Sequence, residues 1–394
     1  MRTIRKLGLV GGACVALSAT APASAFEYEG LSINGFASIV GGMGSDENMF
    51  RSTSYTDNFE FKPESKFALQ VTADLGSGLS ATTQIMAKGA NNFNAEFEWA
   101  YLSYDFTDET TLRAGRLRVP FYKYSDYLDV GYAQPFVRPP LAMYNLDFST
   151  FDGLSLLHNF SLASFDFNAN ITAGNVSDEF FTTTEPTEGK LESVYGINLQ
   201  VSRDWFSAYA AYYSTKVYIP RASLEQAADN LEGFGAPPSA TSLLRIDGDT
   251  GTFLGFGMGI DYADIIVNAE YSTVEIEDTL TLKNAQWYVM AGYRINSISI
   301  TPYVMYETTE NDPNTSTAKA FPAPLQPTVQ GAFDAQQFEF KGLSAGVRYD
   351  FHSNAALKLE YNHYYDIVDL TAGVGTPADP DDQSVISVAV DVVF

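Results

Sequence analysis

The chain has 394 residues, of which 45% are hydrophobic and 18% are charged, and its formal net charge of −25 argues against nucleic acid as a partner. Its single cysteine, Cys14, excludes disulfide bonds within the chain and thiolate metal sites. Aromatic residues make up 14% of the chain, and this abundance, together with the few charges, favours a surface in contact with lipid.

The N-terminus predicts export from the cytoplasm. Arg2, Arg5 and Lys6 precede the apolar segment LGLVGGACVALSATAPA, which is too short to span a membrane, and an Ala-Ser-Ala cleavage pattern follows. Residues 1–25 are therefore predicted to be a cleaved signal peptide. The remainder, 26–394, is predicted to be a single domain.

Beyond that segment, apolar and polar residues alternate with a period of two. Near the C-terminus, for example, Ile386, Val388 and Val390 fall on one face of an extended strand, and Ser387 and Asp391 fall on the other. Repetition of this pattern predicts an all-β fold of sixteen strands. The predicted strands are 31–42, 66–75, 79–88, 95–106, 110–118, 153–160, 164–174, 193–202, 205–218, 252–263, 264–274, 284–294, 298–308, 340–351, 355–366 and 384–394.

The connections between these strands alternate between short turns and long loops. This arrangement is typical of a transmembrane antiparallel β-barrel, with short periplasmic turns and long extracellular loops. Hydrocarbon leaves no water to satisfy an open sheet edge, so the last strand is expected to pair with the first. Pro302 lacks a ladder donor, which predicts a local bulge in its strand.

The size of the barrel indicates a channel. Sixteen strands leave room for water, and the face opposite the apolar one carries Gln, Asn, Thr, Ser and Gly throughout. Such a tube requires a constriction. The best candidate is the segment 119–152, whose aromatic and proline content suits an ordered loop folded into the lumen.

Charged residues in and before this loop predict the electrostatics of the constriction. Arg116 and Arg118 share one strand face, and Arg113 falls on the other. The loop carries four acids, which would oppose the wall arginines and create a transverse field that orients polar solutes. These acids are Asp126, Asp129, Asp147 and Asp152.

The segment FEWAYLSYDFTDETTLRAGRLRVPFY, followed by a long third loop, resembles the Gram-negative outer-membrane general-diffusion porins. The resemblance implies a homotrimer with one pore per subunit, embedded in outer-membrane lipid and lipopolysaccharide. It also implies that Arg116, in the motif AGR, lines the constriction, whereas Arg118 is added by strand parity. The loop acids of that family do not align residue by residue with YSDYLDVGY. Phe394 matches the aromatic C-terminus that the barrel-assembly machinery recognises in the family.

Further charged residues are predicted to line the pore. Glu96 and Glu98 face the lumen if Phe97, Trp99 and Tyr101 face lipid. Three basic residues on inferred lumen faces either set the local field or form ion pairs with acids of neighbouring strands. They are Arg294, Arg348 and Lys358.

The favoured function is passive diffusion of small hydrophilic solutes and ions, with a weak preference for cations that replacement of Arg116 would strengthen. Two alternatives stay open: a channel specific for a sugar or an organic acid, and a closed barrel that acts as a surface anchor or adhesin. An enzyme is not expected, because the three histidines are scattered and no G-x-S-x-G or H-E-x-x-H motif is present. No cofactor or metal is predicted, and the acidic loops are interpreted as solvated surface rather than as divalent cation sites.

Overall fold

The computed structural model describes residues 26–28, 30–47, 49–50, 55–146, 148–181, 186–312, 319, 321–334, 337–369 and 382–394. Sixteen long antiparallel strands form a closed barrel, in which the last strand pairs with the first long one through Val388 and Gly41. The predicted fold class is thereby confirmed. The signal peptide predicted for residues 1–25 and the loop residue Asp147 lie outside the described residues.

The described chain contains the sixteen barrel strands, a three-residue strand (β1) that pairs with the start of β2, and three α-helices. The strands are β1 (Phe26–Tyr28), β2 (Leu31–Gly44), β3 (Lys66–Gly76), β4 (Leu79–Lys88), β5 (Ala95–Asp105), β6 (Thr110–Arg118), β7 (Thr150–Leu162), β8 (Phe165–Phe181), β9 (Pro186–Arg203), β10 (Phe206–Ile219), β11 (Ile246–Tyr262), β12 (Ile265–Ile276), β13 (Lys283–Tyr293), β14 (Ile300–Asp312), β15 (Phe338–His352), β16 (Ala355–Asp369) and β17 (Gln383–Val393). The helices are α1 (Ala222–Gly233), α2 (Pro238–Thr241) and α3 (Gln326–Asp334).

Alternating side chains give the barrel an apolar outside and a polar inside. On β17, Ile386 is 44% exposed, whereas Asp391 on the opposite face is 2% exposed. On β7, Leu154 and Leu156 are exposed in the same way, and Ser155 between them is buried. A continuous belt of exposed aliphatic and aromatic side chains is the surface that a barrel presents to lipid.

Short turns join the strands at one end of the barrel, here called the short-turn end. Five of them contain only two residues each, and in Ala163–Ser164 and Ala263–Asp264 all four residues have positive φ, between 49° and 69°. Two consecutive positive φ angles match the backbone twist of a type I′ hairpin turn, which holds neighbouring strands in tight register. The opposite end, the long-loop end, carries the longer connections.

Several strands extend further toward the long-loop end than predicted. β8 reaches Phe181 and β9 begins at Pro186, so most of the predicted loop 175–192 is a hairpin that extends the wall. Beyond the lipid both faces of a strand meet water, so the sequence loses its alternation there and strand prediction fails.

The bulge predicted at Pro302 is absent from the described β14. Register with β15 runs without a shift through Thr301, Pro302 and Tyr303. The ladder with β13 ends at the pair Gly292–Tyr303, so Pro302 lies just beyond it, where no donor is required on that side.

A separate small core lies at the long-loop end. It packs α1, α2 and α3 against residues 279–282 and is distinct from the barrel interior. Its buried apolar residues are Ala228, Ala240, Leu244, Leu280, Leu282, Phe321 and Val329. Among the described residues, no helix has the length and apolar character needed to cross a membrane.

Candidate functional site

The segment 119–149 is here called the third loop. Its described residues, 119–146 and 148–149, lie inside the barrel and are held there through the loop backbone. Three carboxylates of the wall accept hydrogen bonds from loop N–H groups. Glu270 accepts from Lys123 at 2.9 Å, Glu360 from Val137 at 3.0 Å and Glu307 from Ala142 at 2.8 Å. Backbone groups without partners are costly in an enclosed space, so these bonds fix the path of the loop.

Two wall cations bind the carbonyl groups of the same loop. Lys358 donates to the carbonyl oxygens of Gly131 at 2.6 Å and Phe136 at 2.8 Å, and it also forms an ion pair with Asp391 at 2.8 Å. Arg348 donates to the carbonyls of Tyr132 and Gln134. The two residues predicted to line the pore therefore clamp the loop, and Lys358 is fully buried.

Aromatic packing and tyrosine hydroxyls complete the anchoring. Glu270 accepts hydrogen bonds from the hydroxyls of Tyr144, Tyr209 and Tyr288 at 2.6, 2.6 and 2.7 Å. Phe121 of the loop packs on wall aromatics, with ring centres 4.8 Å from that of Tyr213 and 4.5 Å from that of Phe253. Offset and edge-on aromatic contacts of this kind add to the area they bury, so this part of the loop is firmly packed.

Asp129 is the predicted loop acid that contacts the wall. It is the centre of an ion-pair cluster, here called the Asp129 cluster. It comprises Asp129, Arg118, Glu98, Lys66 and Lys88. Arg118 contacts both Glu98 and Asp129, the latter at 2.8 Å. Lys66 lies 3.2 Å and Lys88 3.8 Å from Asp129, and Lys88 lies 3.3 Å from Glu98. Of the predicted constriction residues, Asp129 and Arg118 thus meet directly instead of opposing each other across a gap.

The charges of the cluster determine the ionisation of Asp129. Burial alone would raise the pKa of this carboxyl, but the adjacent Lys66, Lys88 and Arg118 outweigh burial and hold it well below its usual range. Asp129 is therefore ionised at neutral pH. Lys66 and Lys88 keep 21% and 39% of their side chains exposed and present positive charge to the interior.

Arg116 does not lie where the sequence predicted. It belongs to the outer face of β6, and its guanidinium donates to both carboxylate oxygens of Asp152, at 3.0 and 3.1 Å. Asp152 is the third residue of β7 and not part of the loop. Arg113, on the opposite face, pairs with the buried Ser103 and points inward, and Arg118 at the end of β6 is buried against the third loop. Neither face of β6 is uniformly apolar, so alternation alone could not identify the inner one.

A β-bulge changes the orientation of β5. Register with β4 shifts between the pairs Ile85–Phe97 and Gln84–Trp99, which inserts Glu98 as an extra residue. Phe97 remains exposed, but the Trp99 indole turns inward and donates to Gln70 at 3.2 Å. Glu98 faces inward as predicted, whereas the lipid-facing positions predicted for Trp99 and Tyr101 are wrong.

The other predicted residues occupy peripheral positions. Glu96 pairs with the buried Met86, so it is on the inner face, and it accepts a hydrogen bond from Asn91 at 2.8 Å. Arg294 donates to both carboxylate oxygens of Asp261, at 2.5 and 2.6 Å, close to the short-turn end. Asp126 is exposed and lines a cavity beneath the third loop.

Arg138 was missed by sequence reasoning and connects the third loop to the first long loop. Its guanidinium donates to Glu64 at 2.7 and 3.1 Å and to Asn362 at 2.7 Å. Tyr55 also donates to Glu64, at 2.9 Å. Burial raises the pKa of Glu64, but Arg138 outweighs this effect and lowers it overall. A lone arginine between prolines carried no pattern that would have identified this contact.

Acid is expected to weaken this contact. Because the folded pKa of Glu64 lies below the value of ~4.3 for an unfolded glutamate, its ionisation stabilises the fold above that pH and stops doing so as the pH falls through the folded pKa. Glu64→Gln should lower the free energy of unfolding at pH 7 by roughly 1–3 kcal/mol, and the difference from the wild type should shrink toward pH 3. Denaturant unfolding in detergent at several pH values measures it.

Asp366→Asn provides the matched control, because Asp366 is a 62% exposed partner of Lys341. Its effect should stay within ~0.5 kcal/mol at pH 7. A Glu64→Gln effect that stays constant from pH 7 to pH 3 would contradict the assignment of this contact.

Among the described residues, no group of three or more His, Cys, Asp or Glu side chains is arranged to hold a metal ion.

Comparison with known proteins agrees with this geometry. Residues 12–367 match a family model described as Gram-negative porin. No curated protein matches the chain.

Among solved structures, an anion-selective porin from Comamonas acidovorans is similar at a TM-score of 0.59 and 12% identity, covering 92% of this chain and 99% of that one. The outer membrane channel DcaP of Acinetobacter baumannii gives 0.57 and 14%, with 94% and 99% covered. OmpT of Vibrio cholerae, folded in vitro and solved in a trimer form, gives 0.54 and 11%, with 93% and 100% covered. At these identities the similarity shows a shared fold.

Proposed function

Because this chain belongs to the Gram-negative porin family, and is thus an outer-membrane channel for passive diffusion of small hydrophilic solutes and ions, we propose that its third loop forms the constriction. One observation carries this proposal. The loop crosses the barrel interior and bonds to inward-facing residues of strands on several sides, among them Lys66 on β3, Glu270 on β12 and Lys358 on β16. Solutes that traverse the barrel must pass beside it.

The Asp129 cluster is the charged part of this proposed constriction. Its three cations and two acids leave one net positive charge beside the loop. The overall charge of −25 favours cations at the channel entrances, whereas the cluster favours anions at the proposed constriction. These opposing contributions support a weak overall selectivity.

Planar-bilayer recording tests the channel directly. Purified protein should insert in discrete steps, each with a linear current–voltage relation, because a loop fixed by many bonds leaves a permanently open path. The matched control is the same preparation after irreversible unfolding. A protein that inserts into bilayers without ever conducting would instead support a closed barrel that serves as a surface anchor.

Further features of the family are proposals for this chain. We propose that residues 1–25 are removed on export and that three copies assemble in outer-membrane lipid and lipopolysaccharide, as the trimer form of the Vibrio cholerae protein suggests. Phe394 is proposed as the signal for the barrel-assembly machinery. Its backbone pairs with Gly35 at 2.7 and 2.9 Å, and its ring lies 6.1 Å from that of Phe67. The porin family and fold are typical of channels without enzymatic activity.

A further inference from the structure

A cavity of about 430 Å³ lies between the third loop and strands β7 to β11, toward the short-turn end. The loop contributes Lys123, Asp126 and Tyr127 to its lining. The strands contribute the amides and hydroxyls of Asn159, Asn168, Gln200, Ser202 and Ser207, together with Tyr209 and apolar residues such as Phe160, Phe167 and Met258. The amides and hydroxyls both donate and accept hydrogen bonds, so the cavity offers partners to a small polar solute.

Lys123 supplies the positive charge in the depth of this cavity. Its ammonium donates to the side-chain oxygen of Asn268 and lies 5.9 Å from the ring centre of Tyr124, and neither partner is anionic. Burial lowers the pKa of Lys123 to about 8, although Glu270 and Asp261 act in the opposite direction. A side chain at Gly259 would overlap the ammonium, so the glycine of β11 makes room for it.

Acidic groups surround the rest of the lining. Asp126 on the loop, Glu109 in the turn between β5 and β6, and Asp166 at the start of β8 are all exposed. Asp166 accepts a hydrogen bond from Ser161 at 2.6 Å, and Glu109 accepts one from Thr107 at 2.9 Å. The cavity therefore has one cation at its inner side and three carboxylates toward water, and this separation of charge creates a local field.

We propose that this cavity is a binding site for small zwitterionic solutes such as free amino acids, with the carboxylate on Lys123 and the ammonium toward Asp126, Glu109 and Asp166. The proposal rests on the channel function and names a solute class for it. The amide and hydroxyl groups of Asn168, Gln200 and Ser207 bind the polar remainder of the solute.

The distribution of charge distinguishes this class from its competitors. A monovalent anion pairs with Lys123 but meets three carboxylates, and a cation pairs with a carboxylate but is repelled by Lys123. A neutral solute forms hydrogen bonds to the amides and gains nothing from either charge. A zwitterion satisfies both signs at once, and hydrogen bonds to charged groups are about twice as strong as neutral ones.

The test compares three solutes of similar size in the full-length protein. L-serine is zwitterionic, L-serine methyl ester is cationic and N-acetyl-L-serine is anionic. Their uptake into proteoliposomes is measured against concentration. L-serine uptake should saturate, and uptake of the ester and of the N-acetyl compound should rise linearly over the same range. Equal saturation by N-acetyl-L-serine would overturn the zwitterion proposal in favour of a simple anion site, and linear uptake of all three would overturn the site itself.

Variants identify the residues. Lys123→Gln and Asp126→Asn should each raise the half-saturating concentration of L-serine about tenfold, the loss expected for one hydrogen bond between charged groups. The control is Lys341→Gln, which makes the same change at a lysine of β15 that pairs with Asp366 of β16. It should leave the half-saturating concentration of L-serine unchanged. An unchanged value for Lys123→Gln in folded, conducting protein would remove Lys123 from the site.

Failure of this proposal is distinguishable from failure of the channel. Steady conductance in salt without serine, together with linear uptake of every solute, would reject the binding site and leave the diffusion channel intact. Absence of conductance in a correctly inserted barrel would reject the channel and the site with it.

Discussion

Replacing Lys358 with methionine is expected to lower the free energy of unfolding by roughly 3–5 kcal/mol, the usual cost of removing one partner from a buried ion pair. Lys358 is 0% exposed and its partner Asp391 is 2% exposed. The substitution leaves that carboxylate without its cation and deprives the carbonyls of Gly131 and Phe136 of a donor. Denaturant unfolding in detergent, followed by tryptophan fluorescence, measures the loss.

The same variant should also change the channel, because the loop loses its clamp on β16. Single-channel records should show current fluctuations that are absent from the wild type. Lys341→Met removes an exposed lysine from the same wall and should change stability by no more than ~0.5 kcal/mol. Adding Asp391→Leu to Lys358→Met should recover part of the lost stability, since the unpaired charge is then gone. If Lys358→Met unfolds at the same denaturant concentration as the wild type, Lys358 does not stabilise the barrel by holding the third loop.

Arg118 and Arg116 are expected to differ in their effect on ion selectivity although they lie two residues apart. Arg118→Gln removes a cation that contacts Glu98 and Asp129 inside the barrel. At ~8 Å from a passing ion and an effective dielectric constant of ~40, one charge contributes roughly 1 kcal/mol. Its removal favours cations and disfavours anions by that amount each, so the cation-to-anion permeability ratio should rise by up to about thirtyfold. Reversal potentials in a salt gradient measure this ratio.

Arg116→Gln is the matched control, because it removes the same charge from the outer face, where Asp152 is its partner. Its reversal potential should equal that of the wild type, contrary to the expectation from the motif AGR. The Asp129 cluster should survive Arg118→Gln, since Lys66 and Lys88 still lie 3.2 and 3.8 Å from Asp129. Equal shifts in the two variants, or a shift in Arg116→Gln alone, would contradict the assignment of the two faces.

The barrel itself was predictable from sequence because lipid imposes a pattern on each strand. Segments such as KFALQVTAD alternate between exposed and inward positions, and all sixteen predicted strands are present. The pattern disappears where β8 and β9 extend beyond the lipid, so their ends at Phe181 and Pro186 were not foreseen. It also misleads at the bulge that inserts Glu98, since one extra residue reverses the faces of Trp99 and Tyr101.

The interior was less predictable because its contacts join residues far apart in the chain. The inward positions of Arg348 and Lys358 followed from alternation, but their partners are loop carbonyl groups, which have no sequence signature. Lys66 and Lys88 share strand faces with Gln70 and Gln84, and this parity would have placed them in the lumen had it been followed to the strand ends. Arg138 lies in a loop without periodicity, so only the folded structure shows its role.

Anchoring through the backbone has a consequence for how this channel can diversify. Glu270, Glu307 and Glu360 each accept a hydrogen bond from a main-chain N–H of the third loop, and such a bond does not depend on which side chain the loop residue carries. Val137, which is half-buried, can therefore be exchanged for another residue that keeps its N–H without loss of attachment, whereas Ala142 is also fixed by its packing. Mutations in the loop can alter which molecules pass while the scaffold that positions it stays intact, so the permeability of this protein can evolve separately from its architecture.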